Sequence, residues 1–267
     1  MYNDLFTVFG LTVHGYGLMI AIGAMLAFWM ITKRAEKNGE NGDDYLTLAL
    51  LVLVLGFLAA KILYIITCLK DFLAHPLSYI SGEGFVVYGG ILGGALVAVL
   101  WSRKHKKNIL HVIDLILPPV AFAQGFGRIG CFLAGCCHGK PTGGDWGVVF
   151  PAGSMAPAGV PLWPSQLISS GLDFLLGFAL LWLEKKTNKR RGVVTAAYFI
   201  LYSVGRFLVE YTRADFRGNV GVFSTSQFIA LFTFAFGVIL ARAIRRRGAE
   251  PGPETEAEPE PAVEEQP

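Results

Sequence analysis

Seven apolar stretches dominate this chain, at about 15–32, 46–67, 85–101, 112–127, 166–183, 193–209 and 224–241. Each is bounded or interrupted by Gly, Pro or charge, and most approach the ~20 residues that a helix needs to cross the hydrocarbon of a bilayer. Backbone groups in hydrocarbon must satisfy one another. The stretches are too long and too little alternating for barrel strands, so they predict helices. Composition points the same way. Apolar residues make up 53% of the chain and charged ones 16%, against about 25% charge in an ordinary soluble domain. That excludes a cytosolic enzyme, and it excludes disorder over most of the length. The expected fold is an all-α integral membrane protein with about seven transmembrane helices over residues 1–247. Residues 248–267, rich in Glu and Pro, are expected to form a disordered acidic tail.

The net charge of +3 hides an asymmetry, because the stretch from Ala249 to Pro267 holds seven Glu and no Lys or Arg. Without it, 23 basic residues face 13 acidic ones. Lys33, Arg34 and Lys37 follow the first stretch, and Arg103, Lys104, Lys106 and Lys107 the third. Lys185, Lys186, Lys189, Arg190 and Arg191 follow the fifth, and Arg242, Arg245, Arg246 and Arg247 the seventh. These are 16 of the 23 basic residues, all on alternate connections. The positive-inside bias then predicts an outer N-terminus and a cytoplasmic C-terminus and tail. The runs read as topology signals and lipid-headgroup contacts, with no nucleic-acid partner. Met1 to Gly15 has no basic residue and does not read as a cleaved signal peptide. No internal repeat is evident, which weakens an inverted-repeat transporter reading.

Ionic groups at membrane depth are costly, so each needs a partner or a task. Tyr202, Arg206, Glu210 and Arg213 follow one another at spacings of four, four and three, which stacks them on one helix face and lets Arg206 pair with Glu210. Arg128 closes the fourth stretch inside a run containing Gly125, Gly127, Gly130, Gly135 and Gly139. Glycines there allow tight turns, free amides can face an anion, and a guanidinium adds a planar fork. Tyr16 opens the first stretch and Tyr88 the third, both from the outer side. Arg128, Arg206 and Glu210 end their stretches on that same side. Two arginines converging on one leaflet suit a phosphate.

These residues resemble prolipoprotein diacylglyceryl transferases. The likeness is carried by His14-Gly-Tyr-Gly-Leu18, Tyr88-Gly-Gly-Ile-Leu-Gly-Gly94, the Gly127-Arg-Ile-Gly signature running to Gly139, Trp163-Pro-Ser-Gln-Leu167 and Gly205-Arg-Phe-Leu-Val-Glu-Tyr-Thr-Arg213. Their order spans residues 14 to about 240. The resemblance implies a bacterial inner-membrane transferase of lipoprotein biosynthesis, seven-spanning, with its site on the periplasmic side. It implies phosphatidylglycerol and the signal peptides of prolipoproteins as substrates, surrounding membrane lipids as contacts, and no cofactor or metal. The lipobox thiol would attack the glyceryl carbon bearing the phosphate, and glycerol 1-phosphate would leave. Arg128 matches the phospholipid-binding arginine, with Gly127, Gly130, His138 and Gly139 around it. Arg206, Glu210 and Tyr16 match further catalytic positions.

Tyr88 stands where many members carry a His proposed as general base, and is expected to serve in its place. His14 and His138 are other candidates on the outer side. Cys131 replaces the signature Asn, Cys136 falls where an acid is common, and Trp163 replaces a His. Three readings compete. Cys131, Cys136, Cys137 and His138 are zinc-ligand types, although three consecutive residues are poorly spaced for a tetrahedral site. The same cysteines could make a thiol-redox protein. Arg206 and Glu210 could line the pathway of a small-solute or lipid transporter.

Overall fold

The computed structural model describes residues 4–8, 11–81, 84–187, 190–215 and 218–246. The acidic tail, Lys189, Arg217 and Arg247 lie outside them. A hairpin of β1 (Asp4–Val8) and β2 (Leu11–His14) leads into α1 (Gly15–Lys37). Then come α2 (Gly42–Thr67), two six-residue helices α3 (Leu69–Ala74) and α4 (Pro76–Ser81), α5 (Val87–Lys104) and α6 (Ile109–Ala134). After a long irregular segment, α7 (Ser165–Lys186) and α8 (Val193–Glu210) follow. A small hairpin of β3 (Asn219–Val220) and β4 (Phe223–Ser224) precedes α9 (Thr225–Arg246). The seven long helices coincide with the seven apolar stretches. Six of them are long and apolar enough to cross a membrane, the exception being the 18-residue α5, which carries Arg103 and Lys104 in its last turn.

Local chemistry sets the helix ends. Asn41 and Asn108 cap α2 and α6, their side chains accepting from the amides of Asp43 at 3.0 Å and Leu110 at 2.9 Å, which satisfies donors the first turn leaves open. Helices α1, α5, α7 and α9 each end in a basic turn, favourable at the negative end of a helix dipole.

Helix α6 lies at the centre and packs against α1, α5, α7 and α8, while α2 pairs with α5 and α8 with α9. One core gathers Ile31, Tyr45, Leu48, Trp101, Val112 and Leu115 from α1, α2, α5 and α6. A second joins Ala121, Leu176, Leu180, Val194 and Tyr198 from α6, α7 and α8. Outside, Trp29, Phe57, Ile62, Leu92, Phe178, Trp182, Phe232 and Ile239 are exposed, a surface that only lipid can cover without loss. The irregular segment has its own small core of Phe150, Ala156 and Leu162, packed on Phe132.

The structure corrects one expectation. The glycine run was read as a loop beginning near residue 127, but α6 continues to Ala134, so Gly125, Gly127, Gly130 and Cys131 are helical. Two of these glycines serve close helix approach, as is common in membranes. Gly125 abuts the Phe174 ring of α7, and Gly130 abuts Tyr16 of α1. The chain leaves the helix only at Gly135, whose φ of +76° is the left-handed cap that glycine adopts without a Cβ clash.

Candidate active site

Helices α6 and α8 run in the same direction, with α7 and α9 antiparallel to them. The C-terminal ends of α6 and α8 therefore meet the N-terminal ends of α1, α7 and α9. A cavity of about 340 Å³ lies between α7 and α8 at this end. Its polar lining is Arg128 from α6, Ser169 and Asp173 from α7, and Tyr202 and Arg206 from α8. Its apolar lining is mainly leucine, including Leu172, Leu175, Leu201 and Leu208. The two arginines that the sequence singled out thus line one chamber.

Their surroundings differ. Arg206 is held on two sides, its Nη1 lying 2.6 Å from Glu210 Oε2 and its Nη2 donating to Ser226 Oγ at 2.7 Å. Glu210 is fixed in turn by Ser224, whose hydroxyl donates to Oε1 at 2.8 Å. The turn-by-turn stacking read from the sequence therefore exists, and α9 reinforces it. Arg213 continues the row, 4.0 Å from Glu210, and donates twice to Asp215 at 2.9 and 2.8 Å. Burial disfavours its charge, but Asp215 and Cys137 outweigh that and hold it above the ordinary arginine value. Tyr202 stacks on Tyr198, whose hydroxyl donates to Gln124 at 3.0 Å. Arg128 is half-buried, and among the described residues it makes no hydrogen bond and no ion pair within 4 Å. Asp173 is only 7% exposed and likewise has no hydrogen-bond partner among the described residues.

The remaining predicted residues lie at the same end but outside the cavity lining. Tyr16 sits beside Gly130 and is 42% exposed. Tyr88, 45% exposed, opens α5 where that helix packs on the end of α2. Gly127 faces open space. Gly139 is buried against the Trp163 carbonyl and Ser165, where any Cβ would collide. His138 is half-buried, its Nδ1 3.2 Å from the Gly139 carbonyl.

The Trp163-Pro-Ser-Gln motif acts as a clamp. Ser165 Oγ lies 2.7 Å from Thr212 Oγ1, and Gln166 Nε2 donates to the Cys136 carbonyl at 3.0 Å. Lys140 N donates to Thr212 O at 2.8 Å, and Trp163 N to Lys140 O at 2.9 Å. The signature loop, the start of α7 and the end of α8 are thereby tied into one unit.

Sequence reasoning missed Asp173, Ser226 and Ser224. A lone acid in an otherwise apolar stretch was the available signal for Asp173. The two serines carried none, because their partners are on another helix.

The family model for prolipoprotein diacylglyceryl transferase matches residues 3–243. The chain belongs to this family. Among its relatives is phosphatidylglycerol–prolipoprotein diacylglyceryl transferase 2 of Clostridium perfringens, 47% identical over 243 residues, covering 90% of this chain and 94% of the relative. The Clostridium tetani transferase is 47% identical over 244 residues, covering 91% and 98%. That of Clostridioides difficile is 32% identical over 237 residues, covering 88% and 92%. Membership makes this member a membrane transferase, in keeping with its apolar helices.

Proposed function

We propose that this chain transfers the diacylglyceryl group of phosphatidylglycerol to the lipobox cysteine thiol of prolipoproteins, releasing glycerol 1-phosphate, at the outward-facing end of its helices in the bacterial inner membrane. The names of its relatives support the reaction. The observation that carries the site is Arg128, a guanidinium without a hydrogen-bond partner among the described residues, lining a cavity that has a polar part, with Asp173 and Arg206, and an apolar part made mainly of leucine. A phospholipid has that division, an anionic head and apolar tails.

In this reading Arg128 and Arg206 take the phosphate oxygens. Arg206 is preorganised by Glu210 and Ser226, so it need not reorient as charge develops. The nucleophile is the substrate's sulfur, which must be a thiolate to attack. Asp173, in the same cavity, is placed to take the thiol proton. The sulfur then bonds to the glyceryl carbon, the bond from that carbon to the phosphate oxygen breaks, and its electron pair stays on the departing glycerol 1-phosphate beside the two arginines. Tyr16 and Tyr88, exposed at the same end, are positioned to meet the incoming peptide. Gly127, open on its outer side, leaves room for close approach, while Gly130, His138 and Gly139 hold the end of α6 and its loop in place.

The test is conversion of a lipobox precursor to its thioether form by the purified chain in vesicles containing phosphatidylglycerol. The expected result is conversion with phosphatidylglycerol and none without it. Conversion unaffected by Arg128→Ala would reject the phosphate assignment.

A further inference from the structure

Cys131, Cys136 and Cys137 are left unused by this chemistry, yet the fold gathers them. Their three sulfur atoms lie within 4.8 Å of one another, and all three residues are partly exposed and outside any disulfide. Three consecutive residues, Cys136, Cys137 and His138, are poorly spaced as ligands in an extended chain. The fold removes that objection. Cys131 lies in the last turn of α6, and Gly135 then reverses the chain with φ +76°. Cys137 itself takes φ +58°, a left-handed conformation unfavourable for a residue with a Cβ. Two left-handed residues in three fold the pair back over the helix end.

The surrounding structure holds this turn in place. The Cys136 carbonyl accepts from Gln166 at 3.0 Å, the His138 carbonyl from the Ala214 amide at 3.2 Å, and Gly139 is wedged against Trp163. Strained backbone that its surroundings over-determine is characteristic of a site rather than of a connection. Arg213, 5% exposed and anchored by Asp215, pairs its backbone with Gly139 at the end of this turn.

We propose that Cys131, Cys136 and Cys137 form a binding site for a soft, thiophilic cation, with Zn²⁺ as the principal candidate, joining the end of α6 to the signature loop. A zinc ion with bonds of about 2.3 Å to three sulfurs sets them about 3.8–4.0 Å apart. The sulfurs therefore need to close by less than about 1 Å. Three protein ligands leave the fourth tetrahedral position to water.

Cys68, partly exposed at the end of α2, provides an internal control. The full chain, purified in detergent under reducing and metal-free conditions, would be titrated with Zn²⁺. Alkylation of each cysteine would be followed by peptide mass spectrometry. The expected result is one equivalent bound, alkylation of Cys131, Cys136 and Cys137 slowed by more than about tenfold, and Cys68 unchanged. Cys131→Ser should weaken binding by more than about tenfold, and Cys68→Ser should not. Because the protection measurement uses the unaltered chain, it decides the matter even if the serine variant fails to fold. Equal alkylation with and without Zn²⁺, or a disulfide between any two of the three in chain isolated without reductant, would overturn the proposal.

Discussion

The two ends of the helix bundle differ in how they hold charge. At the basic end, Arg34, Asp114 and Glu40 are each held by partners within the protein. Arg34 makes an ion pair with Glu184 at 2.8 Å and also donates to the carbonyls of Leu115 and Asp114. Asp114 accepts from the Thr195 amide at 2.7 Å, from its hydroxyl at 2.6 Å and from the Gly192 amide. Glu40 joins Lys107 to His111. At the other end Arg206 and Arg213 are equally well held, but Arg128 and Asp173 face a cavity with no hydrogen-bond partner among the described residues. Their opposite charges attract across the cavity, but neither group is hydrogen-bonded to the other. That open hydrogen-bonding capacity is why these two groups are the ones proposed to meet the substrate.

The comparison is open to test, beginning with the largest effect. Arg128→Ala should lower diacylglyceryl transfer by at least about 10²-fold while leaving thermal unfolding in detergent within a few degrees of wild type, because it removes an oxyanion contact and no internal bond. A large drop in stability would place Arg128 with the structural group instead. Glu184→Ala should do the reverse. It should cost about 3 kcal/mol by stranding Arg34, with transfer by the folded fraction nearly unchanged. Asp173→Asn should slow transfer by about 10²-fold or more if the carboxylate takes the thiol proton. Supplying the substrate at higher pH should then recover part of the rate, and no recovery would remove that role. Arg206→Lys keeps the charge but loses the fork shared by Glu210 and Ser226, so about a tenfold loss is expected. Tyr88→Phe should have the smallest effect, within a few-fold of wild type, since Tyr88 lies outside the cavity. A loss comparable to that of Arg128→Ala would restore it to the reacting centre.

Much of this was legible in the residues. Long apolar stretches can satisfy their backbone in lipid only as helices, so the seven helices appeared at their expected places. The Arg206–Glu210 pair was legible because helix periodicity alone puts i and i+4 together. The extent of α6 was not, because glycine serves both a turn and a close helix crossing. Only the partner helices, through Phe174 and Tyr16, decided for the helix at Gly125 and Gly130. Arg34 shows the opposite failure, since it reads as a topology signal but is half-buried and bonded to α6 and α7.

What the sequence determined by itself was therefore local and periodic: helices, their basic ends, and which charges had no place in lipid. The tertiary structure decided which of those charges meet. The cavity brings together residues 128, 173 and 206 from three helices, and the sulfurs meet through a reversal that two left-handed residues create. Contacts of that kind depend on how helices pack and where a turn reverses. A pattern along one segment records neither, because hydrophobic burial constrains which face turns inward but not which neighbour it finds.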